Sequence, residues 1–193
     1  WQLNQGRSDY GLSERAYIVC DSLKSLWRGA NSNIAAWWKE VESAAIMAVE
    51  RPGNTFTART VKFRKDGAWL RMLLPSGRYL CYPSPKVEDG KLSYMGVNQF
   101  TRKWARIPTY AGKLVENGVQ AVSRDVFAHA MPHIEDAGFD ILLGVHDEAI
   151  TDAPDEPYYS AERLAAIMAS PRIWTGDLPL AAAGFETYRY RKG

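Results

Sequence analysis

Residues 139–151 read Phe-Asp-Ile-Leu-Leu-Gly-Val-His-Asp-Glu-Ala-Ile-Thr. The apolar run 139–145 predicts a buried strand, and 148–151 predicts a second strand that leaves a tight turn at His146 and Asp147. Asp147 and Glu148 would then be two adjacent carboxylates at the tip of a hairpin. Such oxygen ligands suit a hard cation such as Mg²⁺, and a strand–turn–strand unit would hold them rigidly. The alternative is an ordinary hairpin whose turn is polar.

One long helix is predicted before this hairpin, from Tyr110 to about Ala137, with Gly138 as its stop and Pro132 as a kink or early end. An apolar stripe recurs at helical spacing and consists of Val115, Val119, Val122 and Val126. The opposite side carries a polar stripe of Lys113, Asn117, Gln120 and Arg124. Amide and guanidinium groups in such a row suit hydrogen bonds to sugar, phosphate and minor-groove acceptors. A solvated helix face is the alternative.

The rest of the chain predicts an α+β fold. Residues 12–50 form two helices: Ser13 caps the first, a break lies near residues 28–33, and the second packs through Trp37, Val41, Ala45 and Ala48. Residues 55–104 contain short strands with hairpin turns at 65–67 and 75–77. A short helix follows at 160–169, with Leu164, Ile167 and Met168 facing inward. We expect a small antiparallel sheet with the long helix packed on its back, preceded by the helical pair.

Composition limits the function classes only loosely. The chain has 193 residues, 46% of them hydrophobic, a formal net charge of +2 and a pI near 8.5. A small positive charge permits nucleic-acid binding without arguing for it. Cys20 and Cys81 match no metal or redox spacing, which favours free thiols in a reducing cytoplasm. His129 and His133 have a zinc-compatible spacing of four, but Pro132 between them argues against a zinc site. No apolar run is long enough to span a membrane.

The order of these segments is similar to a known family. A helix carrying Gln120-Ala121-Val122-Ser123-Arg124-Asp125, then a strand, then Val145-His146-Asp147-Glu148, resembles the last part of the palm subdomain of family A (DNA polymerase I-type) DNA polymerases. Their third conserved motif reads Val-His-Asp-Glu on a hairpin, and the bacteriophage and prophage branch fits best. Other stretches resemble the same branch in the same order, at residues 27–31, 82–85, 96–104, 110–117 and 178–186.

The resemblance implies template-directed transfer of a nucleotide from a dNTP to a primer 3′-hydroxyl, assisted by two Mg²⁺ ions. Asp147 would be a metal ligand, Glu148 would support the site as a further metal-binding carboxylate, and His146 would lie near the primer terminus. Primer–template DNA and dNTPs would be the partners, in the cytoplasm of a bacterial host. The residues implied in DNA contact are Gln120, Arg124, Lys113, Asn117 and Arg78, the last of which is also consistent with a structural role. Residues 1–54 would be the remainder of the fingers subdomain, and 55–193 the C-terminal part of the palm.

The sequence also departs from that family. The first-motif aspartate and the fingers helix with Lys and Tyr are not found, and Asp9-Tyr10-Gly11 does not match the first motif. Glu116 stands where bacterial-type relatives carry an amide. We therefore expect a fragment that does not extend primers alone, and that self-associates because part of its sheet lacks a neighbouring strand. Two alternatives stay open: a non-catalytic DNA-binding or interaction module on a palm-type scaffold, and an unrelated α+β domain with a chance His-Asp-Glu.

Overall fold

The computed structural model describes residues 14–189, so Ser13, the Asp9-Tyr10-Gly11 segment and the basic tail at 190–193 lie outside the described residues. Within that part the chain is α+β, as predicted. Its α-helices are α1 (Glu14–Ala30), α2 (Ser32–Glu50), α3 (Ala111–Asp136) and α4 (Ala161–Met168). Its strands are β1 (Thr55–Ala58), β2 (Val61–Asp66), β3 (Trp69–Leu73), β4 (Tyr79–Pro83), β5 (Lys86–Glu88), β6 (Lys91–Val97), β7 (Trp104–Pro108), β8 (Asp140–Val145) and β9 (Glu148–Asp152).

The strands divide into separate antiparallel sheets rather than the single small sheet that was expected. They form a four-stranded sheet in the order β1-β2-β3-β4, a three-stranded sheet β5-β6-β7 and the two-stranded pair β8-β9. The predicted turns at 65–67 and 75–77 join β2 to β3 and β3 to β4. The chain leaves the first sheet at Pro83, where Ser84 has a φ of 45° and Pro85 has no backbone N–H to donate.

The first core lies between the four-stranded sheet, α2 and the first half of α3. The predicted break between the helical pair is confirmed at Asn31, whose amide donates to the carbonyl of Trp27 at 2.9 Å. On α2, the predicted buried positions Val41, Ala45 and Ala48 are confirmed. They pack with inner-face sheet residues, among them Val61, Phe63, Leu70, Met72 and Tyr82.

Helix α3 is buried along a line that lies between the two predicted stripes. Leu114, Gly118, Ala121 and Asp125 are buried along it, each one position after a polar-stripe residue and one before a valine. Of the predicted apolar stripe, Val115 is also buried and Val122 packs against the first core. A shift of one residue turns a helix by about 100°. The small residues decide the contact, because a Cβ added to Gly118 would already lie 3.5 Å from Met72 Sδ. Val119, predicted to be in the core, is 50% exposed in consequence.

The second core joins the last half of α3 to β8, β9 and α4. Ala130, Ile134 and Phe139 form its centre, and the predicted inward residues Leu164, Ile167 and Met168 pack against them. Helix α3 continues past Pro132 and ends as predicted at Gly138, which has a φ of 89°. The N–H groups of Gly138 and Phe139 donate to the carbonyls of Glu135 and Ile134, which is the Schellman arrangement that glycine favours. A membrane span would need a longer or more apolar helix than any in residues 14–189.

Candidate functional site

The predicted hairpin is confirmed, and its tip carries the three residues singled out in the sequence. Val145 pairs with Glu148, so His146 and Asp147 alone form the turn. His146 takes a φ of 56°, a left-handed backbone that a non-glycine residue adopts at some cost. His146, Asp147 and Glu148 are all exposed. Between residues 14 and 189 no hydrogen bond or ion pair involves their side chains, so the two carboxylates are free to meet a ligand.

The expectation that β8 is buried is wrong. Leu142 is 67% exposed and Leu143 is 53% exposed. The pairing with β9 is irregular between Ile141 and Leu143, so Leu142 has no direct partner across the pair. Composition alone suggested burial, but the hairpin is a two-stranded sheet that packs on the second core mainly through residues such as Ile141 and Ala149. One apolar side of β8 therefore remains uncovered within the described chain.

The hairpin lies against α3 near its tip. A Cβ added to Gly144 would lie 3.6 Å from Cε1 of Phe127, a buried residue of α3. The guanidinium carbon of Arg124, also on α3, lies 5.2 Å from the centre of the same Phe127 ring. Arg124 and the strand that ends in Val145 therefore contact one aromatic ring. This contact brings the end of the polar stripe and the hairpin into one local surface.

The members of the polar stripe differ in how freely they could bind a ligand. Lys113 is ion-paired to Glu116 at 2.9 Å, and this carboxylate raises the pKa of Lys113. The Asn117 amide donates to the hydroxyl of Tyr82 at 3.3 Å, which ties α3 to the four-stranded sheet. Gln120 is exposed and has no side-chain hydrogen bond to any described residue. Gln120 and Arg124 thus have no hydrogen bond or ion pair from their side chains to any described residue, and their contact with DNA remains a prediction.

Arg78, predicted as a further DNA contact, is held by α3. Its Nε donates to Asp125 Oδ1 at 2.6 Å and its Nη2 to the carbonyl of Ala121 at 3.0 Å. Asp125 is buried, 5% exposed, and its other oxygen accepts a hydrogen bond from Ser76. These bonds anchor the β3–β4 turn to α3, so Arg78 has a structural role. Its contact with DNA remains a prediction.

Asp125 is the functional-site neighbour that sequence reasoning missed. It holds the β3–β4 turn and, through its backbone carbonyl, accepts a hydrogen bond from His129 Nδ1 at 2.8 Å. The His129 ring also packs edge-on against Trp174 at a centroid distance of 5.2 Å. The sequence contained one signal for this role: Asp125 lies on the same helical line as Leu114, Gly118 and Ala121. A carboxylate on a buried line needs a cationic partner, so this position predicts an ion pair.

A divalent cation would find an incomplete site here. Asp147 and Glu148 offer the hard oxygen donors that Mg²⁺ prefers, but Mg²⁺ takes about six ligands in near-octahedral geometry. Residues 14–189 contain no group of three or more His, Cys, Asp or Glu side chains arranged to hold a metal. The hairpin tip can therefore contribute to a metal site and does not form one by itself.

The comparisons with known proteins add one relative. The chain is 38% identical to a DNA polymerase of Bacillus phage SP02 over an alignment of 196 residues. That alignment covers 98% of this chain but 30% of the relative, so the chain spans less than a third of the length of the protein that it matches. No protein-family model and no solved structure matches the chain.

Proposed function

We propose that this chain is the part of a DNA polymerase that carries the catalytic hairpin and the helix lying along the primer–template. The observation that carries the proposal is the shared contact with Phe127. Gly144, three residues before Asp147 in the β8–β9 hairpin, and Arg124, at the end of the polar stripe, both lie against this ring. The 38% identity to a phage DNA polymerase over almost the whole chain supports it.

The roles of the residues follow from their position and chemistry. Gln120 is exposed on α3 and offers both a donor and an acceptor, which suits contacts with minor-groove acceptors near the primer end. Arg124, in the middle of α3, contributes a positive charge for the DNA backbone. Asp147 stands in the turn and Glu148 begins β9 beside it, where their negative charge would otherwise repel DNA. A negatively charged tip needs a cation to approach phosphate.

Mg²⁺ is that cation in the proposal. Family A polymerases use two such ions, which assist deprotonation of the primer 3′-hydroxyl and stabilise the negative charge of the dNTP phosphates. Asp147 is proposed as a ligand and Glu148 as its supporting carboxylate. The remaining ligands would come from outside residues 14–189, since no group of three or more His, Cys, Asp or Glu side chains in that range is arranged to hold a metal. His146 would stand beside the primer terminus as the first residue of the turn.

The experiment is primer extension by the full-length polymerase that the proposal implies, with Asp147→Asn. The substitution keeps the size of the side chain and removes its charge, so extension should fall by about a thousandfold or more while the Kd for primer–template stays within about threefold. Asp140→Asn is the matched control, since Asp140 is an exposed carboxylate at the other end of the same hairpin. It lies about 20 Å from the tip. Equal loss in both variants, or none in either, would refute the catalytic assignment.

A second candidate function is a non-catalytic DNA-binding module on the same scaffold. The incomplete metal site of the described residues favours it. In that case Asp147→Asn would leave extension by the full-length protein unchanged, whereas Gln120→Ala and Arg124→Ala would weaken binding to primer–template. The 193-residue chain alone should give no extension with primer–template, dNTPs and Mg²⁺ under either proposal. Extension by the isolated chain would contradict the expectation that essential groups lie elsewhere.

A further inference from the structure

The outer face of the four-stranded sheet is rich in basic and aromatic side chains. Successive residues of a strand point to opposite faces, and the inner ones belong to the first core. The outer face of β2, β3 and β4 presents Lys62, Arg64 and Arg71, all exposed. On the same face Trp69 is 43% exposed and Tyr79 is 52% exposed. Aromatic rings of this size are usually buried more deeply, so this face is suited to contact a partner.

The strand register orders these side chains. Arg64 lies directly opposite Arg71, in the middle of the face. Trp69 begins β3, and Tyr79 lies opposite Leu73, four residues further along that strand. The two rings are therefore about 13 Å apart along the strand, which corresponds to roughly four base-stacking steps of ~3.4 Å. The basic residues stand between and beside the two rings.

The charges of this face are not explained by the fold. Like charges directly opposite each other destabilise a sheet, and Arg64 and Arg71 are such a pair. Asp66 pairs with Arg64 at 2.8 Å and is the one carboxylate that β1–β4 place on this face. Arg71 and Lys62 have no ion-pair partner among residues 14–189. A polyanion lying across the sheet would offset the repulsion and supply the missing partners.

We propose that the outer face of β2–β4 binds single-stranded DNA. Bases stack on Trp69 and Tyr79, and the intervening phosphates contact Arg71 and Lys62. Aromatic rings interleaved with cations are the combination that binds single strands with little sequence preference. Duplex DNA does not fit, because its bases are already stacked on one another. The surface uses different elements from the hairpin and α3, so it can hold a strand whether or not the proposed polymerase function is correct.

The test measures fluorescence anisotropy of a labelled dT oligonucleotide of about twelve nucleotides with the 193-residue chain over a series of salt concentrations. Trp69→Ala should weaken binding about tenfold, and Trp69→Phe should restore most of it, because phenylalanine still offers a ring for stacking. Arg71→Gln should weaken binding severalfold and reduce the slope of log K against log salt by about 0.7. Trp104→Ala is the matched control, since Trp104 is an exposed tryptophan of β7, outside this face.

Several outcomes would overturn the proposal. Unchanged affinity in both Trp69→Ala and Arg71→Gln would do so, provided that thermal unfolding shows both variants folded. Tighter binding of duplex DNA, or of an rU oligonucleotide, would contradict the assignment to single-stranded DNA. Because the binding assay contains no dNTP and no primer extension, its results do not depend on Asp147. Loss of extension in Asp147→Asn with intact oligonucleotide binding would support both proposals separately.

Discussion

Replacing Arg78 with alanine tests whether this residue holds the fold or contacts DNA. The substitution removes two hydrogen bonds, at 2.6 Å to Asp125 and 3.0 Å to the carbonyl of Ala121. It leaves the buried carboxylate of Asp125 with the hydroxyl of Ser76 as its one side-chain partner among the described residues. Breaking a buried pair from one side costs about 3–5 kcal/mol. The Arg78 side chain is 46% exposed, and water replaces part of what is lost, so we expect about 3 kcal/mol.

Urea unfolding of the 193-residue chain measures this loss. With a slope of about 2–3 kcal/mol per molar urea, the midpoint should fall by roughly 1 M. Arg51→Ala is the control, because Arg51 is exposed and has no ion-pair partner in the described chain, so its free energy of unfolding should change by less than about 0.5 kcal/mol. A double-mutant cycle with Asp125→Ala should give a coupling energy of about 2 kcal/mol. An unchanged midpoint in Arg78→Ala, together with weaker DNA binding, would refute the structural role.

Other predictions concern the helix stop, a buried phenol and the exposed strand. Gly138→Ala should destabilise the chain by about 2 kcal/mol in urea unfolding. The backbone of residue 138 is left-handed, and the new Cβ would lie 2.9 Å from Tyr159 Oη. A gain in stability would contradict this prediction. Burial raises the pKa of Tyr82 to about 12. As the pH rises, the phenol ionises first in the unfolded chain, so the free energy of unfolding should fall by about 2–3 kcal/mol between pH 10 and 12. If a Tyr82→Phe variant loses stability with pH equally steeply, the effect does not come from Tyr82. Light scattering should show self-association that Leu142→Ser with Leu143→Ser reduces; a monomer at all concentrations would count against it.

The sequence predicted the elements whose signals are local. Helix α3 and its end at Gly138 followed from periodicity and from the left-handed backbone that glycine favours, and the hairpin turn followed from polar residues between two apolar runs. Strands such as β5, with three residues, carry too little pattern to be identified. The predicted apolar stripe of α3 included the buried Val115 but missed Gly118 and Ala121, because these small residues contribute little hydrophobicity although Gly118 lies close to Met72 of the sheet.

The parts of the site that depend on tertiary contacts could not be predicted from the sequence. Nothing local marks Asp125 as the partner of Arg78, since the two residues are 47 positions apart. The exposure of Leu142 depends on which element covers β8, and composition indicates burial without naming the partner. His146, Asp147 and Glu148 were placed together correctly because a two-residue turn fixes its own geometry. A metal site is a different matter, because residues 14–189 contain no group of three or more His, Cys, Asp or Glu side chains arranged to hold an ion.

Iron-directed cleavage of the backbone shows whether the hairpin tip holds a divalent cation. Fe²⁺ replaces Mg²⁺ in the full-length protein bound to primer–template, and ascorbate with peroxide then generates radicals that cut the backbone beside the metal. We expect cleavage within residues 145–149 that excess Mg²⁺ suppresses and that is lost in Asp147→Asn but kept in Asp140→Asn. Cleavage confined to other segments, or unchanged in Asp147→Asn, would contradict it.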